Sequence, residues 1–245
     1  MSIARFSLCS LQVYFNHYMT SIAANLQAVR ARIFAACTNA GRAPESVQLL
    51  AVSKTWPANY ISQAIAAQQR HFGENYVQEA IEKIAALSSE TVEWHFIGPL
   101  QNNKTKLVAG NFAWVHSIDN LKTAQRLDNQ RPPGFPALKI CLQVNVSGES
   151  SKGGVSPEHA LQLARDLSKL PNLSLRGLMA IPAATTETAV QREQFAMLRE
   201  VKTEINRHGL ELDTLSRGMS HDLEAAISEG STIGRIGTAI FGERQ

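Results

Sequence analysis

Residues 138–146, LKICLQVNV, are followed after a glycine- and serine-rich break by residues 157–169, PEHALQLARDLSK. The first segment is a short apolar run with few charges, as expected of a strand buried on both faces. The second places Ala160, Leu161, Ala164 and Leu167 at helical spacing behind a proline that suits a helix start. A buried strand followed by an amphipathic helix is the repeating unit of a parallel sheet with crossover helices.

The same unit recurs on both sides. Upstream, 47–53 (VQLLAVS) precedes a helical stretch at 57–68, and 71–74 precedes a helix running through 87. Next come 94–98 (WHFIG) with a helix over 102–108, and 114–118 with a helix over 121–129. Residues 131–136, RPPGFP, form a loop, since proline lacks the N–H that regular structure needs. Downstream, 173–180 is followed by a long helix over 188–207, 214–215 by a helix over 223–228, and 233–236 is the last strand. An additional helix over 21–40 precedes them all, with Ile22, Leu26, Val29, Ile33 and Ala36 on one stripe and Gly41 at its close. Eight strand–helix units predict an α/β fold, a (β/α)8 barrel of the TIM type with an extra N-terminal helix. An open doubly wound sheet is the other arrangement with this alternation. Its G-x-G-x-x-G fingerprint is absent, and the first strand ends instead in Ser53-Lys54-Thr55.

Composition narrows the function. Of 245 residues, 44% are hydrophobic and 18% charged, which is a globular balance. A net charge of +3 with scattered basic residues argues against a nucleic-acid partner. Cys9, Cys37 and Cys141 fit neither a disulfide framework nor a zinc pattern, and the histidines show no metal-ligand spacing, so no metal is expected. A reducing, cytoplasmic setting follows from that cysteine usage. No apolar run reaches the ~20 residues of a membrane span. Arg5 and the mildly apolar run after it resemble a weak signal peptide, but Gln12, Asn16 and His17 interrupt the run; residues 1–18 read instead as an extension ahead of a start at Met19, where Thr20-Ser21 would cap the first helix, and 19–245 read as one domain.

Polar residues collect where the strands end, the face on which barrels build their sites. They are Lys54, Glu74-Asn75, Gly98-Pro99, Asn145, Met179, Ser216 with Ser220, and Arg235 with Gly237-Thr238. Lys54 follows Leu49-Leu50-Ala51-Val52-Ser53, so its amine would stand in the barrel mouth, where desolvation favours the neutral form that attacks aldehydes. A strand-end lysine paired with a carboxylate is the plainer reading. Ser216–Asp222 (SRGMSHD) and Gly234–Gly242 (GRIGTAIFG) combine glycines and hydroxyls in the loops after strands seven and eight, where barrels often hold phosphate. Ordinary glycine-rich turns would look the same. Glu74, Asn75 and Tyr76 either line the pocket or cap the next helix. His95, inside a strand, is expected in the barrel interior or wall without catalytic duty.

Six blocks, AVSKT (51–55), FGENYVQE (72–79), WHFIGPLQNNK (94–104), GLMAIP (177–182), GMSHD (218–222) and RIGTAIFG (235–242), together resemble the pyridoxal phosphate homeostasis protein family from about Met19 to Gln245. The resemblance implies a barrel like the N-terminal domain of alanine racemase, with pyridoxal 5'-phosphate held as a Schiff base on Lys54. It implies that Ser216, Ser220, Gly237 and Thr238 bind the phosphate, that Arg235 faces the pyridine nitrogen, and that Asn75 lies near the cofactor. It implies a role in vitamin B6 homeostasis, with no established turnover and with PLP-dependent apo-enzymes as transient recipients. Two residues depart from the pattern. Arg217 stands where an apolar residue is usual, and either adds to phosphate binding or points to solvent. His221 stands where small or acidic residues are common, and is expected to be exposed. An amino-acid racemase of this barrel type carries a second domain. The last motif ends at Gly242 of 245, so the expectation is a cofactor carrier and a monomer.

Overall fold

All eight apolar runs form parallel strands, and in a computed structural model that describes residues 21–149 and 151–243 they close in sequence order, β1 pairing back to β8. The strands are β1 (Gln48–Val52), β2 (His71–Glu74), β3 (Glu93–Phe96), β4 (Trp114–Ile118), β5 (Leu138–Gln143), β6 (Leu173–Met179), β7 (Thr214–Ser216) and β8 (Ile233–Ile236). The helices are α1 (Ile22–Asn39), α2 (Ala58–Ala66), α3 (Val77–Ala86), α4 (Thr105–Asn111), α5 (Leu121–Gln130), α6 (Pro157–Leu167), α7 (Thr188–Arg207), α8 (Leu223–Ser228) and α9 (Thr238–Phe241). The expected barrel is therefore present. Most differences are at element ends: the 102–108 helix divides into a 3-10 turn, Asn102–Lys104, and α4. The expectations for residues 1–18 lie outside the described residues.

Helix α1 packs beside α8 and the four-residue α9. Ser21 caps it by accepting from the Ala24 N–H at 3.2 Å. Its stripe of Ile22, Leu26, Val29 and Ile33 joins the same core as Val47 and Leu49. Polar contacts fix its angle: the Asn25 side-chain amide donates to the Ile240 carbonyl at 2.8 Å, and Arg32 pairs with Glu224 at 2.9 Å.

Alternation along the strands sorts residues into two environments. Trp94, Phe96, Val115, Ile140, Leu142, Leu178 and Leu215 pack outward into the main core beneath the helices. Their neighbours His95, Trp114, His116, Cys141, Met179, Ser216 and Arg235 are also buried but face the barrel axis. The barrel centre is thus unusually polar for a fold normally filled by branched aliphatics. Two glycines permit close approaches. A Cβ on Gly177 would lie 1.9 Å from the Thr214 carbonyl oxygen, and one on Gly98 would lie 2.3 Å from that of Asn75. No side chain fits at either position.

Candidate cofactor site

A cavity of about 230 Å³ opens at the C-terminal end of the barrel. Lys54, Asn75, Ser220, Arg235, Gly237 and Thr238 all line it, with Val52, Ile97, Ile181 and Met219 supplying apolar walls and His221 at the rim. Six of the seven residues expected at the site are therefore brought together. A larger polar groove adjoins it, sharing Asn75, Ile97 and Ile181.

The turn that carries Lys54 is held from behind. Ser53 donates its hydroxyl to Glu74 Oε1 at 2.6 Å, and Lys83 Nζ donates to the Ser53 carbonyl and to Glu74 Oε1, both at 2.8 Å. Glu79 Oε1 accepts from Lys83 at 2.5 Å and from the Thr55 N–H at 2.5 Å. Residues on both sides of Lys54 are thereby anchored, and Thr55 is kept at φ +70°, a conformation that a β-branched residue rarely adopts. Burial raises the Glu74 carboxyl above its ordinary range, and Lys83 only partly opposes that. Of the open alternatives for this segment, Asn75 lines the cavity, Glu74 is buried beneath it, and Tyr76 is exposed. Glu79 and Lys83 escaped sequence reading, although their i, i+4 spacing was the available signal.

Arg235 reaches the cavity from β8 through buried contacts. It donates to the Ser216 carbonyl at 2.5 Å, to Ser216 Oγ at 3.0 Å and to the Ala180 carbonyl at 2.9 Å. Burial pulls its pKa down to about 10, which leaves it cationic at neutral pH. Ser216 is fully buried, and its hydroxyl is engaged by Arg235 and by His116 Nδ1 at 2.7 Å. Ser216 is the last strand residue, and its hydroxyl lies inward behind the arginine, outside the cavity lining. Arg217 is corrected. It neither faces solvent nor joins the cavity, but lies fully buried against Phe195 and donates to the Phe195 and Glu229 carbonyls. Burial pulls its pKa down to about 9. His221 is exposed as expected, and it also borders the cavity.

The wall carries an unmet demand. Asn75 Oδ1 is buried with no hydrogen-bond partner among the described residues. A buried acceptor left alone is costly, so a donor-bearing ligand is the expected remedy. Lysine, hydroxyls, a glycine-opened backbone and a buried cation complete a donor set suited to a small anionic ligand with a reactive carbonyl.

The family model described as alanine racemase, N-terminal domain, matches residues 21–245. A curated relative from Pseudomonas aeruginosa, named pyridoxal phosphate homeostasis protein, is 58% identical over 92% of this chain and 97% of its own length. The chain belongs to the pyridoxal phosphate homeostasis protein family. A solved member from Synechococcus elongatus, PipY with PLP bound, is 40% identical, covers 90% of this chain and all of its own, and superposes with a TM-score of 0.79. Alanine racemase from Clostridium difficile superposes with a TM-score of 0.71 at 14% identity, covering 88% of this chain and 56% of the racemase. That likeness shows the shared barrel alone.

Proposed function

We propose that the protein binds pyridoxal 5'-phosphate in the cavity at the C-terminal end of the barrel, as a Schiff base on Lys54, and serves vitamin B6 homeostasis as a carrier without established turnover. The observation that carries this reading is the convergence of Lys54, Asn75, Ser220, Arg235, Gly237 and Thr238 on one cavity with an unpartnered buried acceptor. Support comes also from PipY, solved with PLP bound, and from the homeostasis name of the relatives.

In this reading each residue has one task. Lys54 supplies the amine that condenses with the aldehyde, releasing water. Ser220, Thr238 and the backbone opened by Gly237 hold the phosphate. Asn75 Oδ1 accepts a hydrogen bond from the ligand. Arg235 faces the ring nitrogen and, as a buried cation, keeps it unprotonated, so the ring withdraws electrons poorly. Such a site retains a cofactor better than it activates one. Ser216 holds Arg235 rather than the phosphate. Residues 19–245 act as one monomeric domain in the cytoplasm and pass the coenzyme to PLP-dependent apo-enzymes. No helix among the described residues is long and apolar enough to cross a membrane.

Borohydride reduction of the protein loaded with pyridoxal phosphate, followed by peptide mass mapping, tests the reading. The trapped mass is expected on the peptide containing Lys54, and Lys54→Ala is expected to remove both it and the imine absorbance. A trapped mass on another lysine, or an unchanged spectrum in the variant, would refute the assignment.

A further inference from the structure

At the opposite end of the barrel, β2 brings His71 to two groups that share a face of β3, Glu93 and His95. His71 and Glu93 are register partners across the two strands, and His95 lies two residues beyond Glu93, on the same face of β3. His71 Nδ1 lies 3.5 Å from Glu93 Oε1, His95 Nε2 lies 3.4 Å from the same oxygen, and the two ring nitrogens are 3.4 Å apart. We propose that His71, Glu93 and His95 form a binding site for a borderline divalent metal ion of the zinc or cobalt type, at the mouth of the barrel opposite the cofactor cavity.

The triangle has the dimensions of one face of a tetrahedral site. A point equidistant from three atoms 3.4–3.5 Å apart lies about 2.0 Å from each, and zinc bonds nitrogen and carboxylate oxygen at about 2.0–2.2 Å. An ion slightly out of that plane meets all three donors and keeps a fourth position for water. Two imidazoles and a carboxylate suit zinc-like ions better than magnesium or calcium, which prefer all-oxygen sites.

The surroundings are those of a supported site. His95 is fully buried, stacks on Trp114 with ring centroids 5.5 Å apart, and has its other nitrogen 3.0 Å from His116 Nε2. Trp114 Nε1 donates to Glu93 Oε1 at 2.8 Å. Such outer contacts orient ligands and fix the imidazole tautomer. Access is open, because the His71 and Glu93 side chains are 33% and 31% exposed and His71 lines a surface groove. Lys139, 3.3 Å from Glu93 Oε2, opposes the ion's charge but contacts the oxygen that the triangle does not use.

Ligation through Nε2 leaves the His95 proton on Nδ1, directed at His116. From there the hydrogen-bonded chain continues through Ser216 to Arg235, so the metal would stand at the far end of a buried path from the upper cavity.

The probe is cobalt(II) added to untagged full-length protein, read by its tetrahedral visible bands and by metal content after gel filtration, with zinc(II) as competitor. About one cobalt per chain is expected, displaced by zinc. His71→Ala, at a half-exposed position, and Glu93→Gln should each weaken binding by more than the roughly 10–100-fold lost with an outer-shell contact. Circular dichroism checks that both variants keep the fold. Absence of stoichiometric uptake by the wild type would overturn the site. So would equal binding by either folded variant, because the metal would then sit elsewhere.

Discussion

Two lysine–glutamate pairs, one at each end of the barrel, use the same chemistry in different solvent. Lys83 and Glu74, beneath the Lys54 turn, are 2.8 Å apart with side chains 6% and 0% exposed. Lys139 and Glu93, at the other mouth, are 3.3 Å apart and about one-third exposed. Water screens the second pair and leaves each partner free to exchange. The first cannot lose a member without stranding a charge in low dielectric. The upper end is therefore fixed around a cavity, whereas the lower end keeps its polar groups in mutual contact and within reach of solvent.

The largest expected effect comes from breaking the buried pair. Lys83→Met removes the cation from Glu74 and the donor from the Ser53 carbonyl. Urea unfolding should show a loss of about 3–5 kcal/mol, the usual cost of stranding a buried charge. A loss no larger than that of an exposed pair would erase the distinction between the two ends.

A smaller effect sharpens the same contrast through pH. Burial raises the folded-state pKa of Glu74 above 4.5, so protonation favours the folded protein. That contribution is fully present below the unfolded-state pKa and is lost as pH rises through the folded-state value. Measured against Glu74→Gln, which cannot titrate, the wild type should lose stability as pH rises above 4.5 and level off beyond that window. Relative stability that instead climbs with pH over that range would mean that Lys83, and not burial, dominates the carboxylate.

These contrasts also mark how far the sequence could be read. The eight strands and their helices were legible because each apolar run is short and each helix carries its own stripe, as at residues 138–146 and 157–169. The cavity residues Lys54, Asn75 and Arg235 were legible because strand ends in a barrel converge on one face. Arg217 was misjudged, and Ser216 was placed at the strand end without its direction being legible. β7 runs through Ser216, whose hydroxyl turns to the axis, while Arg217 turns under α7 and α8, and the direction of neither side chain shows in the apolar pattern. The spacing of Glu93 and His95 puts them on one strand face, but their meeting with His71 was not legible, because it comes from the β2–β3 register. The anchoring of the Lys54 turn by Lys83 likewise depends on how α3 lies against β1 and β2.

The smallest stability effect is expected at the exposed pair, where it separates two consequences of one charge. Lys139 touches Glu93 and lies over the Trp114 ring, 5.2 Å from its centroid. Pairs of this exposure contribute about 0–1 kcal/mol and are weakened by salt, and methionine keeps much of the aliphatic contact with the indole. Lys139→Met should therefore change unfolding stability by about 1 kcal/mol or less, with the difference shrinking at high salt. Its effect on cobalt should run the other way. Removing a cation beside Glu93 removes repulsion against an incoming divalent ion, so the variant should bind cobalt more tightly than the wild type. Weaker binding would show that Lys139 helps to hold Glu93 in its ligating position, and the lower end would then be as preorganised as the upper one.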